Sequence, residues 1–120
     1  MFNYILLFEK EKNHKQPNLQ AQFPLDIEIP DLSLISSLCV PQTITEYQPQ
    51  IYAFNTPSNN CFDYCFEYKG NIYSIVILSS SLYASLFYDY LHSVHSTLFS
   101  MKVNSTPLNI FYLVKSLLLS

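Results

Sequence analysis

Cys61–Ser79 reads CFDYCFEYKGNIYSIVILS, two strand signatures of different kinds on either side of one short turn. In the first, Phe62, Tyr64, Phe66 and Tyr68 fall on one side of a two-residue period, and Cys61, Asp63, Cys65 and Glu67 fall on the other. In the second, Ile72–Ser79 is apolar at almost every position, the pattern of a strand buried on both faces. Lys69-Gly70-Asn71 between them is turn chemistry. The stretch therefore predicts an antiparallel hairpin. Gln50–Asn55 (QIYAFN) lies just upstream, set off by Thr56-Pro57-Ser58-Asn59-Asn60, and extends the hairpin to a three-stranded meander.

Upstream of the meander, Phe2–Phe8 (FNYILLF) reads as a buried strand that ends in the charged loop Glu9-Lys10-Glu11-Lys12. A short strand over Leu19–Phe23 stops at Pro24, because proline cannot donate to a ladder. Asp31 is placed to cap a short helix over Leu32–Leu38, which Pro41 closes. Downstream the period changes from two to 3.6. From Ser81 to about Phe99, steps of 100° gather Tyr83, Leu86, Phe87, Tyr90, Leu91, Val94 and Leu98 into one apolar arc. A loop over about Ser100–Ser105 leads to a last helix, with Thr106 as its cap and Pro107 in its first position. The expected fold class is α/β (α+β): a central antiparallel five-stranded sheet with one short helix on one face and two C-terminal helices on the other.

Composition narrows what such a domain does. The 120 residues suffice for one domain, with 49% apolar and only 12% charged residues, a balance incompatible with intrinsic disorder. Net charge is −3 and arginine is absent, so the electrostatic footprint of a nucleic-acid binder is missing. Gly70 is the single glycine, which removes glycine-rich phosphate loops and dinucleotide turns. Met1–Phe8 lacks the charged start and cleavage site of a secretory signal, and Pro107–Leu119 is too short to span a bilayer. A cytoplasmic domain is expected, its three cysteines reading as buried free thiols. Cys61 and Cys65 on one strand stand about 13 Å apart, beyond the reach of a disulfide.

Candidate chemistry is sparse. Asp89, His92 and His95 recur at one-turn spacing on the amphipathic helix, and they read as a solvated face rather than as metal ligands. Cys39 or Cys65 with His92 would make a nucleophile–base pair, yet cysteine on an alternating strand ordinarily serves packing. The serines lack the flanking glycines of a nucleophile elbow. Asn104-Ser105-Thr106 is a glycosylation sequon without a secretory context. The rings of Phe62, Tyr64, Phe66 and Tyr68 suit base stacking, yet without arginine they read as sheet-to-helix packing. No enzyme and no cofactor is expected.

The element order, strand–strand–helix–strand–strand–strand–helix–helix, is similar to the longin-type scaffold of trafficking proteins. Particular residues resemble the N-terminal (u-DENN) lobe of the DENN-domain family of Rab guanine-nucleotide exchange factors. Phe23-Pro24 matches its aromatic–proline pair, and Cys39-Val40-Pro41 its cysteine–apolar–proline stop. Ile51–Thr56 matches its threonine-ended strand, and Phe62, Tyr64 and Cys65 its aromatic strand with cysteine. Ile75–Ser79 matches its Leu-Ser-ended strand, and Pro107-Leu108 the opening of its next helix. Asp63 stands where the family commonly has glycine, and Ala84 where it commonly has proline.

The resemblance implies a u-DENN/longin-like lobe over residues 1–120, truncated before the family's central α/β DENN lobe. It further implies a guanine-nucleotide releasing factor that binds Rab-type small GTPases in vesicle transport, and that is inactive alone. Recruitment to vesicle or organelle membranes would be peripheral at most. The alternative is a stand-alone longin-like adaptor or scaffold without exchange activity. The last helix is apolar all round, so part of it is expected to dock the missing lobe or another protein. Phe111, Leu113, Leu117 and Leu118 are the candidate interface residues.

Overall fold

The computed structural model describes residues 3–40, 50–79, 89–94, 96 and 106–119. Strand β1 is Tyr4–Lys10, β2 Asn18–Phe23, β3 Gln50–Asn55, β4 Asn60–Tyr68 and β5 Asn71–Ser79. Helix α1 is Leu32–Leu38 and helix α2 is Pro107–Leu119. Residues 89–94 and 96 are helical, within the amphipathic stretch expected over 81–99. The rest of that stretch, the loop after it and the helix stop expected at Pro41 lie outside the described residues.

The five strands form one antiparallel sheet in the order β2-β1-β5-β4-β3. Its strongest hairpin is the one the alternation predicts: β4 pairs β5 from Asn60↔Ser79 to Tyr68↔Asn71. Lys69 and Gly70 turn it, both at positive φ (51° and 85°), the geometry that matches the twist of the flanking strands. Non-local pairing builds the centre. β1 joins β5 from Tyr4↔Leu78 to Lys10↔Ile72. These two interior strands carry the continuous apolar runs because both of their faces are covered. Ile5, Leu6, Leu7 and Phe8 are buried, as are Ile75, Val76, Ile77 and Leu78.

Alternation then divides the core into two layers. Ile5, Leu7, Phe62, Tyr64, Phe66, Ile75 and Ile77 point to one face, where Leu91, Val94, Ile110, Phe111 and Val114 cover them. Leu6, Phe8, Cys61, Val76 and Leu78 point to the other, under Ile29, Ile35, Cys39 and Val40. We call these the α2 face and the α1 face. One short helix on one side and two C-terminal helical segments on the other is the α+β arrangement expected from the sequence.

Three local features were not anticipated. The β1–β2 register slips between Leu7↔Ala21 and Phe8↔Leu19, leaving Gln20 as the extra residue of a bulge. The slip sends Leu19 to the α1 face, while Ala21 and Phe23 pack on the α2 face. Secondly, Asp31 does not cap α1 with its side chain. It sits at a left-handed φ of 61°, where its carbonyl accepts the Ile35 N–H at 2.9 Å. A capping side chain needs extended backbone at that position. The Asp31 carboxylate is turned instead to the β3–β4 turn, accepting the Ser58 N–H at 3.1 Å. Thirdly, the seven-residue α1 is too short to persist alone and is fastened by side chains around it. Ser36 donates to the Pro17 carbonyl at 3.0 Å, and Tyr52 to the carbonyls at its C-terminal end.

The start of α2 is as expected. Pro107 occupies its first turn, and Thr106 Oγ1 accepts the Asn109 N–H at 3.2 Å.

Candidate functional sites

Helix α2 has a core side and an outer side, which its all-round apolar sequence could not distinguish. Pro107, Ile110, Phe111 and Val114 are buried. Phe111, at 2% exposure, is part of the sheet–helix core, so it leaves the candidate interface. Leu117 and Leu118 are half-buried against the same cluster, and Leu113 is 37% exposed. The outer stripe consists of Leu108, Tyr112, Leu113 and Leu119, of which Tyr112 and Leu119 are half exposed at 50% and 55%.

Leu113 and Leu117 also line an apolar cleft of about 370 Å³ with Tyr90, Ser93 and Val94 of the preceding helical segment. The Tyr90 hydroxyl spans the two segments, donating to the Leu117 carbonyl at 3.1 Å. Lys115 holds α2 to the sheet edge, its Nζ 4.4 Å from the centre of the Phe23 ring. The outer stripe and the cleft together can seat an apolar side chain or helix.

The chemically unusual place lies on the α1 face. Strand alternation puts Asp63 between Cys61 and Cys65 on the interior strand β4, and Asp63 is fully buried. Its Oδ1 accepts the Ser74 hydroxyl from β5, while Oδ2 has no hydrogen-bond partner among the described residues. Cys65 Sγ lies 3.0 Å from the Cys39 carbonyl, 3.5 Å from Asp63 Oδ1 and 3.8 Å from the Tyr52 hydroxyl. Tyr52 in turn donates to the carbonyls of Cys39 and, at 3.0 Å, of Leu38.

Burial without a cation dominates the electrostatics of this cluster. It pushes the Asp63 carboxyl up to about 7, against the pull of the Ser74 hydroxyl and the Cys65 thiol on Oδ1. Burial and then the Asp63 charge raise Cys61 to about 12 and lift the Cys39 and Cys65 thiols higher still. All three cysteines are free and protonated, hence poor nucleophiles. The arrangement pins the C-terminal end of α1 to the sheet through donors aimed at its last carbonyls.

The alternation places Asp63 opposite the aromatic face without saying whether that side is covered. The usable signal was its neighbours: Cys61 and Cys65 share its face, and both are residues that prefer burial.

The remaining candidates are not brought together. Cys39 and Cys65 lie on the α1 face, whereas the exposed His92 belongs to the helical segment that covers the α2 face, so the sheet separates thiol from imidazole. Asp89 is exposed on the same segment, and His95 lies outside the described residues. Among the described residues no three His, Cys, Asp or Glu side chains are grouped to hold a metal ion. Of the sequon, Asn104 and Ser105 lie outside the described residues. Phe62, Tyr64 and Phe66 are buried under the helical layer, which leaves those rings no access to bases. No helix among the described residues is long and apolar enough to cross a membrane. Comparison with known proteins finds no matching family model and no matching curated protein.

Proposed function

We propose that this chain is the longin-type first lobe of a DENN-type exchange factor, gripping a Rab-type small GTPase together with a second lobe seated on the outer side of α2. The observation that supports it is the order of elements, with the quoted motifs at the element ends. Phe23-Pro24 closes β2, Cys39-Val40 follows α1, Ile75–Ser79 ends β5, and Pro107-Leu108 opens α2. An exchange factor needs no acid, base or nucleophile. It releases nucleotide by binding the empty GTPase more tightly than the loaded one, so differential affinity does the work. Its membrane role would be peripheral, through the GTPase it serves.

The test is binding of the full chain to a panel of Rab-type GTPases, each nucleotide-free and GDP-loaded, alongside release of labelled GDP. The expected result is preference for a nucleotide-free member, with GDP release left at its intrinsic rate because one lobe is half a grip. Binding indifferent to nucleotide state would favour the adaptor reading, and no binding to any member would overturn the GTPase reading. The seat on α2 has its own check. Leu113→Lys should leave stability within about 0.5 kcal/mol, as for an outer position, and Leu117→Lys should cost more. Unfolding by Leu113→Lys would place that side in the core and remove the docking surface.

A further inference from the structure

The sheet ends at β2, and among the described residues no strand pairs its outer edge. Open edges are ordinarily blunted by charge or proline within the strand, or by a bulge that twists it away. Asn18-Leu19-Gln20-Ala21-Gln22-Phe23 contains neither, and only the Gln20 bulge interrupts it. An open cleft of about 410 Å³ runs along this strand, between Leu19–Gln22 and the loop residues Leu25–Ile27. Leu25 in that loop is 71% exposed.

Charge is distributed unevenly about the two ends of the strand. Before β2 stand the exposed Lys12 and Lys15, while the acids there are engaged: Glu11 with His14 at 3.1 Å, and Glu9 with the Tyr73 hydroxyl. After β2 stand the exposed Asp26 and Glu28. None of Lys12, Lys15, Asp26 and Glu28 makes an ion pair among the described residues. In sequence Lys15 lies three residues before Asn18 and Asp26 three residues after Phe23, and the loop that carries Asp26 turns back beside Leu19–Gln22. Turning the strand by a two-fold axis through its middle therefore brings the basic end of one copy to the acidic end of the other. Strand β3, the opposite edge, is followed by the uncharged Thr56-Pro57-Ser58-Asn59 and offers no such match.

We propose that the outer edge of β2 pairs antiparallel with β2 of a second copy of this chain, its Lys12 and Lys15 facing Asp26 and Glu28 of that copy. The contact is isologous and closes on itself, giving a dimer with one sheet continuous across the axis. It uses neither the α2 stripe nor the α1-face cluster, so it stands apart from the GTPase reading.

The test exploits the two-fold geometry. Sedimentation across a concentration series should show the full chain in monomer–dimer equilibrium. Asp26→Lys with Glu28→Lys makes both ends basic, and Lys12→Glu with Lys15→Glu makes both acidic. Each double variant should weaken dimerisation by about tenfold or more. Mixed together, the two should form a heterodimer, because every junction regains opposite charges. All four positions are exposed, and because Asp26 holds a left-handed φ of 58° that lysine tolerates less well, Glu28→Lys alone is measured beside the double variant, with circular dichroism checking that each folds. Amide exchange in β2 should slow as the parent dimerises. A parent monomeric at every concentration, a dimer indifferent to both double variants, a mixture that fails to associate, or β2 amides unaffected by dimerisation would each overturn the proposal. Capture of an unrelated extended peptide by a monomeric parent would do so too.

Discussion

On the α2 face, Ile5, Leu7, Phe62, Ile75 and Ile77 meet Leu91, Val94, Ile110, Phe111 and Val114. On the α1 face, Leu6, Phe8, Val76 and Leu78 share their layer with Asp63, Cys65, Ser74 and Tyr52. The first side is held by apolar area, which is non-directional and indifferent to pH. The second covers the sheet with a seven-residue helix that buries only Ile35 fully, and it adds directed hydrogen bonds to fix the helix end. Two faces of one sheet thus respond to different perturbations. Volume matters on one, and protonation and donor count matter on the other.

Phe111 is where the apolar face has most to lose. Phe111→Ala should destabilise the chain by about 3–5 kcal/mol, the usual range for an aromatic removed from a packed core, read as a shift in the urea midpoint. The loss should be the same at acid and alkaline pH. A loss below about 1 kcal/mol would mean that α2 is not the cover of that face.

Asp63 makes the other face sensitive to pH. Its carboxyl moves from an ordinary 3.8 to about 7 on folding, so between those values the folded chain holds a proton that the unfolded chain has released. Stability from this group is therefore intact below about pH 4, falls as pH rises, and is fully lost above about 7. The linked change is on the order of 4 kcal/mol. Urea unfolding at pH 5 and pH 8 should find the parent weaker at pH 8, and Asp63→Asn should flatten that dependence. A variant that keeps the parent's pH slope would exclude Asp63 as its source.

The smallest effect belongs to Tyr52→Phe, which keeps the ring and deletes the donor to the Leu38 and Cys39 carbonyls. A cost of about 1–3 kcal/mol is expected, since a buried carbonyl loses a partner. Amide exchange should locate it at the end of α1. Loosening spread evenly over the sheet would mean that the hydroxyl does not pin the helix.

How much was legible follows the same division. The β4–β5 hairpin could be read because strict alternation, the Lys69-Gly70 turn and a doubly buried strand agree with one another. The end of β2 and the start of α2 were legible because Pro24, Thr106 and Pro107 each constrain one backbone position. The bulge at Gln20 was not, since Asn18–Phe23 alternates without a break in sequence, and the slip that sends Leu19 to the other face runs against that period. The conformation of Asp31 was hidden because a left-handed backbone at an aspartate leaves no sequence mark. Phe111 could not be told from Leu113, because a helix apolar on every side does not declare which side is covered. Asp63 escaped because burial of a carboxyl depends on the helix laid across it, which is a tertiary fact.

The pairing of β1 with β5 sets an order of events during synthesis. β1 leaves the ribosome well before β5 and can form its hairpin with β2 at once, but its other edge waits for residues 72–78, made some seventy residues later. Until then Ile5, Leu6, Leu7 and Phe8 lie on a strand with an unpaired inner edge, neither of its faces yet covered by the layers that bury them in the finished fold. Such a nascent chain offers its stickiest segment longest, and pairing across this sequence distance is slow. A chaperone that shields β1 until β5 arrives should therefore raise the yield of folded chain.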